Sequence, residues 1–422
     1  MAGRWLILAD DLTGAADCAI AFGRRGREAA VTWGEAPAAR GEAANLAADQ
    51  PEVLSYDADS RGLSAQDATR RHAGLLSRLL DPDRTLFKKI DSTLRGQPAA
   101  ETVAAIAALK ARAGSAFGVC APAFPATGRT TIGGRVHVNG RPLEEAEVWR
   151  RDHTYASADL AAILASAGIR AETIALSGVR GDLAGTLARV AALGDVVAVC
   201  DAETEADLDR IARASLPGAP STFFIGSAGL AHALAAIDTA RPAEALRLTP
   251  NRCGALIVVG SLAAASRAAA RTLAASGRVT HLPVTPEALL GAPAGRAALA
   301  AGIAAVTAAG GDALVEIAMD ATPDMALGPR LVQSLADALE PVASRIGAFA
   351  ATGGETAAAL LTRFGVSGIR LVDEIEPGVS LGLSLGRFSI PVATKAGAFG
   401  DADSLLRIAA RLRAVRTEGS FT

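Results

Sequence analysis

Two adjacent carboxylates follow the first apolar stretch of the chain. The residues WLILA predict a strand near Trp5–Ala9 that ends directly in Asp10 and Asp11, and a helix is predicted over Ala15–Arg25. In an open α/β sheet, ligands bind at the carboxyl ends of the strands. Carboxylates at such an end can accept hydrogen bonds from hydroxyl groups or act as a base, and one of them can instead cap the following helix. Because one cap needs only one aspartate, the pair predicts a site for a polyol.

A second polar segment, KKIDSTLRG, follows another predicted strand, near Leu86–Ile90. Side chains alternate along a strand, so Lys89 and Asp91 point to the same side and Lys88 points to the other. A lysine and an aspartate together at a strand end can fix a carboxylate and deprotonate a nearby hydroxyl, and Arg95 can grip a carboxylate with two parallel hydrogen bonds. The alternative is a surface ion pair with a hydroxyl side chain as a helix cap. The mixture of polar types on one turn favours a site.

A long stretch over 120–147 has no helical period and mixes prolines, glycines and basic residues. Loops of this length inside a compact domain are commonly binding loops, and Arg129, Thr130 and Asn139 are the side chains suited to reach a ligand. The same stretch contains VNGRPL, whose Asn-Gly pair predicts a β-hairpin. Both interpretations hold together if the hairpin covers a site.

Four predicted strands are followed by glycine-containing turns and then by helices: FFIGSAGLAHAL, LIVVGSLAAAS, AATGGETAAALL and ATKAGAFGDADSL. Glycine lets the backbone approach a ligand, and the free amides at a helix start attract anions. The spacing differs from the G-x-x-x-x-G-K-[ST] pattern, so the turns predict phosphate or carboxylate cradles of another type. A lysine among glycines suits a phosphate. The residues concerned in the last three turns are Ser261, Gly353, Gly354, Glu355, Thr356, Lys395 and Gly397.

Apolar runs alternate with Ala- and Leu-rich stretches of helical period, which predicts an α/β fold with mostly parallel sheets. Apolar strands stop and prolines appear between 232 and 253, so we predict two domains, 1–240 and 252–422. Two α/β lobes predict a cleft between them, where small-molecule chemistry is commonly housed. Further strands are predicted near Ala29–Trp33, Val53–Tyr56, Phe117–Ala121, Ala171–Ala175, Val196–Cys200, Phe223–Gly226, Ala255–Gly260, Val279–Pro283, Ala313–Ile317, Ala348–Thr352, Ile369–Val372 and Ser389–Thr394, and further helices over Ser64–Leu80 and Pro98–Ala113.

Charge and composition exclude several classes of protein. The chain has 42 Lys and Arg against 44 Asp and Glu, a formal net charge of −2, with no block of like charge that would suit nucleic acid. The longest apolar runs fall well short of the roughly 18 residues that span a membrane. The N-terminus lacks a small-residue cleavage site and the four cysteines lie far apart, so we expect a cytoplasmic protein. His137 and His153 are too isolated to predict a metal site, and the sequence leaves a homo-oligomer open.

The motifs ADDLTGAAD, KKIDSTLRG, PAFPATGRTT, VNGRPL, GSAGLA, VVGS, TGGET and KAGAFGD, in this order, identify a family. The chain resembles, nearly end to end, the four-carbon acid sugar kinases, which include threonate, erythronate and 3-oxo-tetronate kinases. The resemblance implies a sugar-acid-binding domain over 1–240, a nucleotide-binding domain over 252–422, and transfer of the γ-phosphate of ATP to the 4-hydroxyl of the acid.

The resemblance also implies roles for individual residues. ATP is expected at Ser261, Gly353, Gly354, Glu355, Thr356, Lys395 and Gly397, with Mg²⁺ bridging its phosphate oxygens and no chain residue predicted as a metal ligand. The catalytic residues are expected to be Asp91, Asp11 and Lys89, and either aspartate remains open as the group that deprotonates the 4-hydroxyl. The sugar acid is expected at Asp10, Asp11, Arg61, Lys88, Lys89, Asp91, Ser92, Arg95 and Arg129.

Two departures from the family pattern bear on specificity. The family often has Gly-Ser-Cys-Ser where this chain has Gly-Ser-Leu-Ala, and VWRRDHTYASADL follows VNGRPL in place of a segment with proline and methionine. The alternatives are a kinase of the same family for a different small hydroxy acid, and a non-catalytic two-lobed protein that binds sugar acids. A nicotinamide-dependent oxidoreductase would need G-x-G-x-x-G after the opening strand, where none is found.

Overall fold

The computed structural model describes residues 3–34, 51–219, 221–238, 246–318 and 327–421. The chain divides into two compact units, Met1–Pro242 and Ala243–Thr422. Both units combine helices with mostly parallel strands, which confirms the predicted α/β class. Among the helices that the structure describes, none has both the length and the hydrophobicity needed to cross a bilayer.

The first unit holds strands β1–β11 and helices α1–α9. The strands are β1 Arg4–Ala9, β2 Ala29–Thr32, β3 Val53–Asp57, β4 Arg84–Lys89, β5 Phe117–Ala121, β6 Arg129–Ile132, β7 Arg135–Val138, β8 Arg141–Pro142, β9 Ala171–Ile174, β10 Val196–Cys200 and β11 Thr222–Gly226. The helices are α1 Leu12–Gly23, α2 Ala65–Leu79, α3 Pro98–Ala113, α4 Glu147–Arg151, α5 Leu160–Ser166, α6 Leu176–Val179, α7 Leu183–Ala191, α8 Glu205–Ser215 and α9 Ala228–Ile237.

The main strands of this unit pair in the order β2-β3-β1-β4-β11-β5-β10-β9, and every pair in this row is parallel. β1 is almost fully apolar because both of its faces are covered. Leu6 and Leu8 belong to the core cluster that also contains Leu75 of α2, whereas the Trp5 ring lies 5.0 Å from that of Phe22 on α1.

The strand order places a topological switch at β1. The chain runs from β1 to β2 and β3 on one side, and then to β4 on the other side of β1. Ligands in open α/β sheets bind at such switch points, outside the carboxyl ends of the strands. The acidic pair after β1 and the polar segment after β4 therefore start at neighbouring positions of one sheet edge.

The predicted hairpin is confirmed. β7 and β8 pair antiparallel around Asn139 and Gly140, whose φ angles are 52° and 77°, and β6 completes a small separate sheet. Both turn residues occupy the left-handed region, which asparagine and glycine adopt most readily.

The second unit holds strands β12–β18 and helices α10–α15. The strands are β12 Ala255–Val259, β13 Val279–Val284, β14 Asp312–Ile317, β15 Ala348–Thr352, β16 Val366–Glu376, β17 Val379–Gly386 and β18 Pro391–Lys395. The helices are α10 Ala264–Ala275, α11 Pro286–Leu290, α12 Pro293–Ala308, α13 Gly328–Leu339, α14 Gly354–Arg363 and α15 Ser404–Glu418.

The strands of the second unit run in the order β13-β14-β12-β15-β18-β17-β16, parallel as far as β18 and antiparallel in the last two pairs. β12 is again a switch point, with β14 on one side and β15 on the other. The sequence analysis missed β17, although VSLGLSLG alternates apolar and small residues with the period of a strand.

The GSAGLA motif after β11 packs neighbouring chain segments together, and the anion cradle predicted there stays a prediction. The Ser227 hydroxyl donates to the carbonyl oxygen of Pro122 at 2.9 Å. A Cβ atom at Gly229 would lie 2.3 Å from the carbonyl oxygen of Ala123, so no larger residue fits there without backbone movement.

We predict opposite effects for two glycine substitutions in helices of this unit. Gly229→Ala is expected to destabilise the protein by about 1–3 kcal/mol, because the added methyl group meets backbone atoms. Gly74→Ala, at an exposed position of α2 with nothing within 4 Å of its Cβ, is the control and is expected to stabilise by about 0.5–1 kcal/mol. Urea unfolding of both variants measures this difference, and equal stabilities would contradict the packing role of Gly229.

Candidate active site

The carboxyl ends of β1, β3 and β4 bring five predicted site residues together. Asp10 and Asp11 follow β1, Arg61 lies in the turn after β3, Lys89 ends β4 and Asp91 is two residues further on. The strands pair in register here, with Leu8 opposite both Tyr56 and Lys88. This arrangement follows from the switch at β1, because polar residues that end neighbouring parallel strands meet at one edge.

Arg61 and Lys89 bridge the two aspartates that follow β1. The Arg61 guanidinium donates through Nε to Oδ2 of Asp10 at 2.7 Å and through Nη2 to Oδ1 of Asp11 at 2.9 Å. Lys89 Nζ lies 3.2 Å from Oδ1 of Asp10 and 3.4 Å from Oδ1 of Asp11. Asp11 also caps α1, since its Oδ1 accepts from the backbone N–H of Gly14 at 3.1 Å, and its Oδ2 accepts from the Thr13 hydroxyl at 2.7 Å.

Asp91 holds Arg95 in a two-point hydrogen bond. Nε and Nη2 of Arg95 lie 2.8 Å and 3.0 Å from Oδ2 and Oδ1 of Asp91. Oδ2 of Asp91 also accepts from the backbone N–H groups of Thr93 and Arg95, both at 3.3 Å, and from the Thr93 hydroxyl. Between them Leu94 has a φ of 59°, an uncommon conformation for a leucine that this carboxylate stabilises. Asp91 thus fixes both the turn and the direction of Arg95.

The charges of this cluster compensate one another. Burial opposes ionisation of Asp10 and Asp11, but Arg61 and Lys89 outweigh it and lower the pKa of both carboxyl groups. For Asp91, burial is likewise outweighed, by Arg95 and then Arg61, so that its pKa lies well below the usual range. Burial disfavours the Lys89 ammonium, but Asp10 and Asp11 raise its pKa above the usual value. All of these groups are therefore charged at neutral pH.

Arg129 and Ser92 lie beside this cluster. Burial lowers the pKa of Arg129, Asp91 opposes that shift and Arg95 adds to it, which places the guanidinium within electrostatic range of both. Its Nη1 donates to the carbonyl oxygen of Thr127. Ser92 is buried next to Asp91 in the chain. Within the paired set, three cations, Arg61, Lys89 and Arg95, balance three carboxylates, Asp10, Asp11 and Asp91.

The structure does not bring Lys88 into this cluster, and its predicted contact with substrate is corrected. Lys88 is 1% exposed and its Nζ lies 2.8 Å from Oε2 of Glu101 on α3. It also donates to the carbonyl oxygens of Leu8 and Lys89. The alternation of side chains along β4 turns Lys88 to the face of the sheet opposite Lys89.

Asp57 is a residue at this edge that the sequence analysis missed. It ends β3, is buried, and accepts from the backbone N–H of Asp59 at 2.7 Å. Burial, with Asp11 adding to it, raises the pKa of Asp57 well above its usual value. A carboxylate directly after a predicted strand was the available signal, the same one that identified Asp10.

The second unit brings three of the predicted glycine turns together at the ends of β12, β15 and β18. The backbone N–H of Ser261 donates to the Thr352 hydroxyl at 3.3 Å, and the N–H of Gly353 donates to the carbonyl oxygen of Lys395 at 2.9 Å. A Cβ atom at Gly397 would lie 2.2 Å from Oγ of Ser261. These three turns form the phosphate-loop cluster, defined as residues 260–261, 353–356 and 397.

The phosphate-loop cluster lies at the start of two helices. α10 begins at Ala264 and α14 begins at Gly354, after a Gly353 whose φ of 90° favours glycine. Thr356 is buried against Gly260, because a Cβ at Gly260 would lie 2.0 Å from its Oγ1, whereas Glu355 is exposed. Free amides at two helix starts beside glycine backbone suit the oxygens of a polyphosphate.

The structure gives Lys395 a different environment from the predicted contact with phosphate. Its side chain is 1% exposed, and its Nζ donates to the carbonyl oxygens of Phe399 and Ala396 at 2.6 Å and 3.1 Å and to Oγ of Ser266 at 3.3 Å. An ammonium group has three protons, so all of its donors have acceptors. Burial lowers the pKa of Lys395 to about 8. Lys395 therefore fixes the turn over 396–399 through hydrogen bonds to the carbonyl oxygens of that turn.

Comparisons with known protein families divide the chain in the same way. Residues 5–234 match the model of a sugar-binding N-terminal domain, and residues 256–405 match that of a nucleotide-binding C-terminal domain. The first match contains the cluster at β1, β3 and β4, and the second contains the phosphate-loop cluster.

Solved structures support the fold. A protein of Salmonella typhimurium LT2 superposes with a TM-score of 0.76 at 22% identity, covering 96% of this chain and 99% of its own. A Haemophilus influenzae protein superposes with a TM-score of 0.70 at 19% identity, covering 96% of this chain and all of its own, 100%.

Relatives of known activity match along the whole chain. A D-threonate kinase of Cupriavidus necator is 43% identical over 95% of this chain and 96% of its own length. A D-threonate kinase of Bordetella bronchiseptica is 35% identical over 96% of this chain and 97% of its own. A D-erythronate kinase of Heliobacterium modesticaldum is 27% identical over 94% of both chains. With both domain models matched in order, the chain belongs to the four-carbon acid sugar kinase family and is an ATP-using phosphotransferase of this class.

Proposed function

We propose that the protein transfers the γ-phosphate of ATP to the 4-hydroxyl of D-threonate. The relatives at 43%, 35% and 30% identity are D-threonate kinases, whereas the D-erythronate and 3-oxo-tetronate kinases are 27–28% identical. The observation that carries the proposal is the cluster of paired carboxylates and cations at the ends of β1, β3 and β4. It supplies cations for one carboxylate and carboxylate oxygens for hydroxyl groups.

The cations of this cluster are proposed to bind the carboxylate of the acid. Arg61, Lys89 and Arg95 are each paired with an aspartate. Arg61 and Arg95 remain partly accessible, with 24% and 22% of their side chains exposed, whereas Lys89 is buried behind Asp10 and Asp11. Guanidinium groups bind carboxylates with two parallel hydrogen bonds. Asp10, Ser92 and Arg129 are proposed to orient the hydroxyl groups of the sugar acid.

Asp11 is our proposed base for the 4-hydroxyl. A base needs a carboxylate oxygen with a lone pair left for the hydroxyl proton. Both oxygens of Asp91 accept from the Arg95 guanidinium, whereas among the described residues Oδ2 of Asp11 accepts from one donor, the neutral Thr13 hydroxyl. Asp91 is then the residue that orients Arg95, and Lys89 stabilises the charged form of Asp11.

The phosphate-loop cluster is proposed to bind ATP, with the amides of Gly354 and Thr356 at the start of α14 facing phosphate oxygens, Ser261 and Gly353 shaping the adjoining turns, and Gly397 allowing a close approach. Mg²⁺ would neutralise the phosphate charge during transfer. Asp10, Asp11 and Asp91 do not suit a cation, because each is already paired with Arg61, Lys89 or Arg95. The exposed Glu355 at the start of α14 is a carboxylate that fits a partly hydrated Mg²⁺.

The location and the assembly of the protein remain predictions. A cytoplasmic location agrees with four cysteines that are all free thiols. Assembly into a homo-oligomer is the other, and size-exclusion chromatography with light scattering tests it.

Turnover of ATP with a panel of sugar acids tests the proposed function. We expect Mg²⁺-dependent ADP formation with D-threonate at a kcat/KM at least about tenfold above those for D-erythronate, L-threonate and 3-oxo-tetronates, since the aspartates read the hydroxyl positions. Preference for another member of the panel would overturn the D-threonate assignment alone. ADP formation that none of the four acids stimulates would overturn the assignment of a four-carbon substrate.

We predict that Asp11→Asn and Asp91→Asn act on different kinetic constants. Asn caps a helix as well as Asp does, so Asp11→Asn is expected to fold and to lower kcat by about 10²–10⁴-fold with little change in KM. Asp91→Asn frees Arg95 and is expected to raise the KM for the acid by about tenfold. Steady-state kinetics on both variants measure this split. A larger loss of kcat in Asp91→Asn would show that Asp91 is the base.

Substitution of Gly353 tests the phosphate-loop cluster. Gly353→Ala places a side chain at a φ of 90° beside Ser261, and we expect the KM for ATP to rise about tenfold while the KM for the sugar acid stays unchanged. Gly277→Ala is the matched control, because Gly277 has a φ of 67° in the same unit with nothing within 4 Å. Equal effects of both variants on the KM for ATP would contradict the role of Gly353.

A further inference from the structure

Four buried polar side chains form a connected group behind the cluster at the ends of β1, β3 and β4. Ser60, His72, Lys88 and Glu101 are each no more than 1% exposed. Oε2 of Glu101 accepts from Lys88 Nζ at 2.8 Å, and Oε1 accepts from the Ser60 hydroxyl at 2.6 Å. Nε2 of His72 lies 3.0 Å from the Ser60 oxygen and 3.5 Å from Oε1 of Glu101. Glu101 is the centre, because it contacts all three of the others.

This buried group is joined to the site at two points. Lys88 Nζ donates to the carbonyl oxygen of Lys89 at 2.5 Å and to that of Leu8 at 3.3 Å, so it ties the ends of β4 and β1 together. Ser60 directly precedes Arg61, and the backbone N–H groups of both donate to the carbonyl oxygen of Asp10, at 3.1 Å and 3.3 Å. The two cations that bridge Asp10 and Asp11 are thus each one residue away from a partner of Glu101.

A buried ion pair is a costly way to gain stability alone. Removing two charges from water often costs as much as their attraction returns, and well-packed apolar residues of similar size are commonly as stable. A hydrogen-bonded ion pair does fix the relative orientation and the separation of its two side chains, whereas apolar contacts restrict both less strongly. Burial, and then the Lys88 ammonium, lower the pKa of His72 well below its usual value, so the imidazole stays neutral beside Ser60. Both carboxylate oxygens of Glu101 have buried partners, and a buried network of this kind restricts the directions of its members.

We propose that Glu101 is a positioning residue for binding of the sugar acid, acting through Lys88 on Lys89 and through Ser60 on Arg61. This proposal rests on the proposed function, because it assumes that Lys89 and Arg61 bind the acid. Glu101 sets the separation of these two cations, which in turn hold Asp10 and Asp11. Neither Glu101 nor Lys88 touches the substrate.

Three variants separate positioning from stability. Glu101→Gln keeps an oxygen for Ser60 and removes the charge opposite Lys88. The double variant K88M/E101L removes both charges and is expected to regain stability, since no unpaired charge stays buried. Asp238→Asn is the matched control, because Asp238 forms another buried ion pair of the same unit, with Arg27. Asp238 also accepts a hydrogen bond from Nε1 of Trp5. Trp5 lies at the start of β1, the end of the strand opposite the site.

The measurements are the KM values for D-threonate and for ATP, kcat, and the Tm of each variant. We expect Glu101→Gln and K88M/E101L both to raise the KM for the acid about tenfold or more while the KM for ATP stays unchanged. The control is expected to lose Tm with an unchanged KM for the acid. A double variant that recovers both Tm and KM would overturn the proposal, as would a KM in Glu101→Gln equal to that of the wild type.

Direct titration of D-threonate into the wild type separates this test from the proposed function. Binding by the wild type with equally tight binding by Glu101→Gln overturns the positioning role and leaves the function intact. If the wild type binds none of the four acids of the panel, the proposed function fails and the positioning role fails with it. Binding that weakens about tenfold in Glu101→Gln, and not in Asp238→Asn, supports both.

Discussion

The pairing of three aspartates with three cations at one sheet edge is the interaction on which the candidate site of the first unit depends. Asp10, Asp11 and Asp91 are largely buried, and an unpaired charge at such a place would be strongly destabilising. Arg61, Lys89 and Arg95 make the burial tolerable by lowering the pKa values of the carboxyl groups. The same compensation keeps every group charged and directed, which is the state that binding of an acidic polyol needs.

The fold supplies this arrangement through its strand order. β1 lies between β3 and β4, so segments that are distant along the chain end side by side. The second unit repeats the solution with β12 between β14 and β15, where glycines and helix starts replace charged side chains. We propose that this difference reflects the two ligands of a kinase, with directed charges binding the small acid and backbone amides binding the polyphosphate.

The positions of polar residues directly after predicted strands indicated much of the candidate site from the sequence. Asp10, Asp11, Lys89 and Asp91 were found because carboxyl ends of parallel strands meet at one edge. The alternation of side chains along β4 also predicted that Lys88 points away from Lys89. This prediction was more reliable than the assignment of both lysines as substrate ligands. The strand β17 was missed because its glycines and serines masked an otherwise regular alternation.

Other features could not be read from spacing. The partners of Arg61 lie about fifty positions away, and the pairing depends on the turn after β3. Lys395 looked like a phosphate ligand among glycines, yet its ammonium is used by carbonyl groups of its own turn. Glu101 had a signal, a single acid among apolar residues of α3, but its partner Lys88 could be named only once the sheet was known.

Calorimetric titration of D-threonate and of its neutral amide, D-threonamide, tests the central claim most directly. The two compounds share every hydroxyl group and differ only in the charge that the cations of the cluster are proposed to bind. The account predicts that D-threonamide binds at least about tenfold more weakly, because charge-assisted hydrogen bonds to Arg61, Lys89 and Arg95 are lost. Equal affinity for both compounds would contradict it.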